Sequence, residues 1–159
     1  MAADVLSKIL ELLQKTGVNF QEFHHVPTYT SEESARVRGE DLRSGAKAIL
    51  MKTDEAFQMF VVPANAKIDS AAIKRRLKVK KTRFATREEL AELTGLVPGC
   101  VPPFGEPVLP FVLYSDTEVG KATERVAFNA GSLTVSVIMA ADDWDKIAKP
   151  IRFSFALGG

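Results

Sequence analysis

Cysteine is almost missing from this chain. Cys100 is the only one in 159 residues, so no internal disulfide can form and the composition suits a reducing compartment. Histidine is nearly as scarce: His24 and His25 are the only two. They are neighbours on an extended stretch and point to opposite faces, so a single site cannot use both. One Cys and two His cannot assemble the usual zinc ligand set, and no metal site is expected. No Gly-x-Ser-x-Gly elbow, Walker-type loop or dinucleotide fingerprint occurs, which argues against a triad hydrolase or an enzyme with an organic cofactor. A dyad of Cys100 with His25 is conceivable, but a small residue in a tight loop explains Cys100 more simply.

Excess charge is lacking too. The formal net charge is +1, so nucleic-acid binding would need a local patch rather than a polybasic surface. No apolar run reaches the roughly 18–20 residues of a membrane span. The N-terminal MAADVLSKILELLQK carries Asp4 and Glu11 and lacks a signal-peptide layout. These features predict a soluble, cytoplasmic protein. The length is that of one domain, residues 1–159. A chain of this size buries roughly 70% of its unfolded surface without a disulfide or metal.

Periodicity then divides the chain. Val5, Ile9, Leu12 and Leu13 recur at helical spacing, predicting a helix over 5–15 capped by Asp4 and ended by Gly17. Residues 18–26 alternate as a strand. Thr30-x-x-Glu33 and Thr86-x-x-Glu89 are capping boxes for two short helices that stop at Gly39 and Gly95. Residues 46–52 and 56–63 read as a hairpin. Asp69 caps a helix over 70–78, and a short basic strand follows. Strands are expected over 108–116, 125–131 and 133–140, then a helix capped by Asp142 or Asp143 and a final extended piece. Hairpin-linked strands mixed with helices predict an α+β domain, not a doubly wound sheet.

Four features are candidates for function. Between Gly95 and Pro107, seven of thirteen residues are Gly or Pro. Such a loop is stiff and poor in side chains, and it can present backbone N–H and C=O groups at fixed positions. A plain surface connection is the alternative. Lys74, Arg75, Arg76, Lys78, Lys80, Lys81 and Arg83 place seven cations in ten residues with no acid among them, which fits a local phosphate site better than a mixed solvated face. Lys47 opens an apolar strand. Taken alone it reads as a strand-end lysine snorkelling to solvent, as Lys52 would at the other end, with a fixed cation facing a site as the functional alternative. Asn129, Gly131, Ser132 and Thr134 form a polar corner that is either a hairpin turn or a source of pocket hydroxyls and amides.

The ordered set HHVPTYTSEE, GAKAILMK, FVVPANAKID, LTGLVPGCVPPFG and FNAGSLTVSV resembles the YbaK/ProX family, free-standing relatives of the editing domain inserted in bacterial prolyl-tRNA synthetases. The likeness runs from about residue 18 to 148. It implies an α+β domain with a strongly curved, barrel-like sheet flanked by helices. It implies a trans-editing aminoacyl-tRNA deacylase that hydrolyses the ester of a mischarged small amino acid without metal or organic cofactor. The family's essential lysine falls on Lys47. Its Gly-x-x-x-Pro loop falls on Gly99, Cys100, Val101, Pro102 and Pro103, with Gly99 to Val101 at the chemistry and the two prolines on the substrate. Its late substrate-contacting turn falls on Asn129, Gly131, Ser132 and Thr134. The basic run would meet the tRNA backbone. Many relatives carry His after Gly-Ser in that turn; here it is Leu133, so no relative's amino-acid preference is carried over. The implied partners are aminoacyl-tRNA and an aminoacyl-tRNA synthetase; neither the oligomeric state nor the cognate amino acid is fixed. The competing readings are a catalytically silent tRNA-binding or docking subunit of a synthetase assembly and a hydrolase of small aminoacyl esters.

Overall fold

The computed structural model describes residues 2–158. Helix α1 (Ala2–Thr16) presents Val5, Ile9 and Leu13 inward at four-residue intervals, all buried. The helix begins before Asp4, so Asp4 lies within its first turn rather than capping it. Gly17 ends it at φ 75°, as expected. Both capping boxes form. Thr30 and Glu33 open α2 (Ser31–Arg38), and Thr86 and Glu89 open α4 (Arg87–Thr94), with Gly39 and Gly95 left-handed at the ends. Asp69 caps α3 (Ser70–Leu77) through Ala72 N–H. The last helix, α5 (Ala141–Ala148), has Ala140 at its N-cap and no side-chain cap. Asp142 and Asp143 sit inside its first turn, where their charge favours the helix dipole instead.

The strands form three ladders. β1 (Phe20–His24), β8 (Val135–Ala140) and β7 (Arg125–Asn129) make an antiparallel sheet in the order β1-β8-β7. The order β5-β2-β3-β6-β9 makes a mixed five-stranded sheet. It comprises β2 (Ala46–Thr53), β3 (Ala56–Pro63), β5 (Thr82–Phe84), β6 (Leu113–Ser115) and β9 (Ile151–Arg152). The expected hairpin is β2–β3, while β6 runs parallel to β3. Short β4 (Lys67–Ile68) and β10 (Ala156–Leu157) pair with each other. A bridge between Gly45 and Ala127 links the two larger sheets. The result is an α+β domain, and its described strands do not close into a barrel: β5 and β9 remain edges.

The strand expected over 108–116 shrinks to 113–115. Gly105 O instead accepts from both Val108 and Leu109 N–H, holding the preceding residues in turns. Pro107 and Pro110 have no N–H to give a ladder.

One core cluster joins α1, the three-stranded sheet, Trp144 of α5 and Leu50 of β2. A second lies between the five-stranded sheet and α3, where Met51, Phe60, Val62, Ile73 and Phe155 meet. Strand β2 thus sends Ala46 and Leu50 to one side and Met51 to the other, the period of two expected of a strand covered on both faces. Each large side chain so buried stabilises the fold by about 1.5–3 kcal/mol.

The Gly/Pro loop is not a surface connection. Val97, Pro98 and Gly99 are exposed at its tip and Glu106 and Pro107 at its exit, while residues 100–105 between them are buried. Trp144 Nε1 donates to Pro103 O at 2.9 Å, and Gly131 N–H donates to Cys100 O at 3.0 Å. Gly131 has φ 78°, and a Cβ there would lie 3.0 Å from Val5 Cγ1. This position therefore holds α1 close to the turn.

Candidate active site

A cavity of about 470 Å³ opens where α2, β2, β7 and the tip of the Gly/Pro loop converge. Strand β2 supplies residues 46–50, α2 supplies Ser34 and Arg38, the loop supplies Pro98, Gly99 and Val101, and β7 supplies Asn129. Two cations line it, Lys47 and Arg38, and no carboxylate does. The remaining wall is largely apolar, including Ala48, Leu90 and Phe128.

Lys47 is half-buried, and its Nζ donates to Ala66 O at 3.1 Å. Burial lowers its pKa; nearby Glu32 opposes that shift and Lys67 adds to it. The remaining Nζ hydrogens can meet a ligand. Lys47 is therefore a held cation at a cavity wall rather than a strand-end lysine in water. Lys52, at the other end of β2, lies over the Phe57 ring, 5.9 Å from its centroid.

Arg38 escaped the reading from sequence. It donates through Nε to Ser136 Oγ at 2.9 Å and through a terminal nitrogen to Asn129 Oδ1 at 3.0 Å. Burial pulls its pKa down to about 10, against the attraction of Glu40. Its hydrogen-bonded partners are neutral, and its guanidinium lines the cavity. Asn129 Nδ2 in turn donates to Gly99 O at 2.7 Å. A single chain of bonds thus runs from α2 through β7 to the loop tip. His25 ends it on the other side, with Nε2 2.8 Å from Ser136 Oγ and Nδ1 2.7 Å from Val26 O. The carbonyl can only accept, so Nδ1 carries a hydrogen. The one hydrogen of the Ser136 hydroxyl goes to Asn129 Oδ1 at 3.1 Å.

The other expected site residues scatter. Gly99 and Val101 line the cavity, whereas Cys100 is buried in the main core and Pro102 and Pro103 are buried behind the loop tip. Burial raises the Cys100 pKa; with His25 engaged elsewhere, no thiolate dyad forms. Gly131, Ser132 and Thr134 are absent from the cavity wall. Gly131 braces the loop, while Ser132 and Thr134 bond to each other at 3.0 Å. Leu133 packs at the back of Gly99, 3.6 Å from where a Cβ would stand.

The basic run lies on the adjoining surface. Lys74, Arg75, Lys78, Lys80 and Lys81 are exposed. Arg76 lies over the Phe153 ring, and Arg83 is paired with Glu89 at 2.7 Å. The backbone N–H groups of Lys80 and Lys81 both bind the Asp54 carboxylate, which shapes the turn into β5. A second depression of about 490 Å³ is lined by Lys74, Lys80, Lys81 and Arg83 together with Lys52, Asp54, Glu55 and Thr82. Although as large, it is walled by charged side chains and Thr82 rather than by the converging backbone of the first. Strand β5 joins the two regions, since Phe84, next to Arg83, lines the first cavity.

The sequence profile of the aminoacyl-tRNA editing domain matches residues 25–147. The chain belongs to that family. It is 29% identical over 153 residues to the Escherichia coli K12 multifunctional Ser/Thr-tRNA deacylase ProXp-y, spanning 93% of this chain and 90% of that one. It is 26% identical over 155 residues to the prolyl-tRNA editing protein ProX of Acetoanaerobium sticklandii, spanning 94% and 93%. A solved structure described as a candidate trans-editing enzyme for prolyl-tRNA synthetase superposes with a TM-score of 0.81 at 21% identity, covering 97% of this chain and 98% of that one. At that identity the likeness speaks to fold. No helix among the described residues is long and apolar enough to cross a membrane.

Proposed function

We propose that this editing-family chain is a trans-acting aminoacyl-tRNA deacylase that releases a small amino acid from mischarged tRNA in the cytoplasm. The observation that carries the reading is a cavity with two cations, no carboxylate and a backbone loop at its rim. Such a wall suits a polyanionic ester end joined to a small side chain. In this reading residues 1–159 act as one editing domain, and the two larger sheets curve around the cleft where Gly45 meets Ala127.

The chemistry is ester hydrolysis. Water attacks the acyl carbon, the bond to the terminal ribose oxygen breaks, and the proton lost by water ends on that oxygen. Negative charge grows on the acyl oxygen and then on the ribose oxygen. Lys47 stabilises that charge, and Arg38 adds a second positive field from α2. The Gly99 N–H has no partner among the described residues and is available to the acyl oxygen. Gly99 O is held by Asn129, so the tip keeps its geometry without a side-chain catalyst. Positioning of this kind contributes several kcal/mol, with roughly 7–11 kcal/mol as its upper range. The exposed cations of the 74–83 run neutralise tRNA phosphates.

The test is a deacylation panel. The protein, its Lys47→Ala variant and a protein-free control receive tRNA charged with alanine, cysteine, serine, threonine or proline. Hydrolysis of one or a few esters, lost in the variant while its fold persists, is the expected result. Intact esters with tRNA still bound would replace the enzyme with a docking module of a synthetase assembly. Full activity in Lys47→Ala would remove Lys47 from the mechanism.

A further inference from the structure

Two aromatic rings stand in water at the rim of the cavity. Tyr29 is 72% exposed and Phe84 is 57% exposed, and both line the same cleft. Among the exposed large apolar side chains of the described residues, these two alone are aromatic. Neither ring stacks on another ring or lies under a cation in the described structure. Scattered exposed apolar residues are ordinary. The convergence of both exposed aromatics on one cationic cavity is not.

Their backbones are held while their rings are free. Tyr29 N–H donates to Glu33 Oε1 at 3.0 Å, and the preceding Thr28 N–H donates to Leu133 O at 3.1 Å. Phe84 O accepts from Arg83 at 3.2 Å, and Ala85 N–H donates to Leu50 O at 2.9 Å. Each ring is thus a pre-positioned platform on a fixed stem. The surroundings are cationic: Lys47 and Arg38 lie within the cleft, and the basic run ends at Arg83, directly before Phe84. A held flat ring beside a track of positive charge is what unpaired nucleotides need, because every base has a face to stack and every link carries a phosphate.

We infer that Tyr29 and Phe84 are stacking platforms for the bases of a single-stranded nucleotide end, receiving the unpaired 3′ terminus whose ester enters the cavity. This rests on the deacylase reading for the identity of the nucleic acid. The rings grip the bases, the exposed lysines grip the phosphates, and the cavity takes the acyl group. Base stacking tolerates any sequence, so the platforms confer affinity for a flexible end and no preference among tRNAs.

The probe is a fluorescein-labelled CCA trinucleotide, read by anisotropy at low salt beside its abasic counterpart. Tyr29→Ala and Phe84→Ala should each weaken CCA binding by roughly 5- to 100-fold. Tyr29→Phe and Phe84→Tyr should bind as the parent does, and the abasic oligomer should bind weakly to all. Both side chains are exposed, so all four variants should keep the parent's thermal unfolding. Parent-like CCA binding in both alanine variants, or equal binding of the abasic oligomer, would overturn the inference and leave the rings to a protein-docking surface. The probe carries no aminoacyl ester. Ring-dependent CCA binding without deacylation would therefore sink only the enzyme reading, whereas deacylation with ring-independent binding would sink only this one.

Discussion

The side-chain amide of Asn129 fastens the backbone of Gly99: Nδ2 donates to the Gly99 carbonyl at 2.7 Å across thirty residues of sequence. The other end of the same amide takes Arg38. Asn129→Ala removes the acceptor shared by Arg38 and Ser136 and the donor to Gly99 O, at a total cost of about 1–3 kcal/mol. Its melting temperature should fall, and kcat should fall about 10- to 100-fold, with KM for tRNA nearly unchanged. Asn129→Asp restores a partner for Arg38 but sets an acceptor against the Gly99 carbonyl. It should recover stability and not turnover. Unaltered kcat in both variants would show that the tether is irrelevant to catalysis.

Lys47 acts as an ammonium in this mechanism, and burial lowers its pKa from the ordinary 10.5. Protein-dependent turnover should therefore decline with rising pH before an ordinary lysine would lose its proton. Lys47→Arg should carry whatever activity it retains to higher pH. Rates must be corrected for spontaneous ester hydrolysis. Parallel profiles for the two proteins would exclude the lysine proton as the cause.

Removing charge from the basic surface should separate tRNA from small esters. Changing Lys74, Lys78, Lys80 and Lys81 together to Gln should weaken tRNA binding and flatten its dependence on salt, because fewer counterions are released. Turnover of a simple aminoacyl ester should persist. Arg83 is already paired with Glu89, so Arg83→Gln should change the salt slope less than any of the exposed lysines does. Equal loss with both substrates would place the run in the fold rather than on the tRNA.

Glu89 ties the start of α4 to β5. Arg83 first, then the Thr86 backbone, holds its pKa down from 4.5 to about 2. A group whose folded pKa lies below its unfolded value stabilises fully above the unfolded pKa and loses that effect as pH falls. Its contribution should therefore disappear between about pH 4.5 and 2. Glu89→Gln should lower stability at pH 7 and converge with the parent near pH 2 in denaturant titrations. A constant gap across that range would contradict the assignment.

Gly131→Ala tests the brace under α1. Its φ of 78° disfavours any side chain, and the new Cβ would press on Val5. A loss of about 1–3 kcal/mol is expected, measured by urea unfolding. An unchanged midpoint would mean that α1 shifts freely at this point.

The capping boxes at Thr30–Glu33 and Thr86–Glu89 and the β2–β3 hairpin were legible because each is closed by residues a few positions apart. Lys47 stands out in the sequence as a cation opening an apolar strand, and the structure puts it on the cavity wall. Arg38 was not legible: an arginine near the end of a short helix reads as solvated, and its burial depends on Ser136, 98 residues away. Two weak signals pointed there. Ser34 and Arg38 share a helix face at i, i+4 spacing, and Ser136 is a polar residue inside the apolar run VSVIMA. His25 lies just beyond β1, and its bond to Ser136 joins positions 111 residues apart, so no local signal marks it. The turn at 131–134 matched a motif, yet its side chains brace the loop and each other rather than the cavity.

Trp144 gives the molecule its own optical gauge. It is the sole tryptophan, fully enclosed, with its indole hydrogen on the carbonyl of Pro103. Emission excited through indole therefore originates at one place, the rear of the Gly/Pro loop. Occupancy at the rim that shifts the loop would alter the colour or lifetime of that light, whereas occupancy that leaves the loop in place would not. Rigid and yielding versions of the same hydrolytic site can thus be told apart in the unlabelled protein.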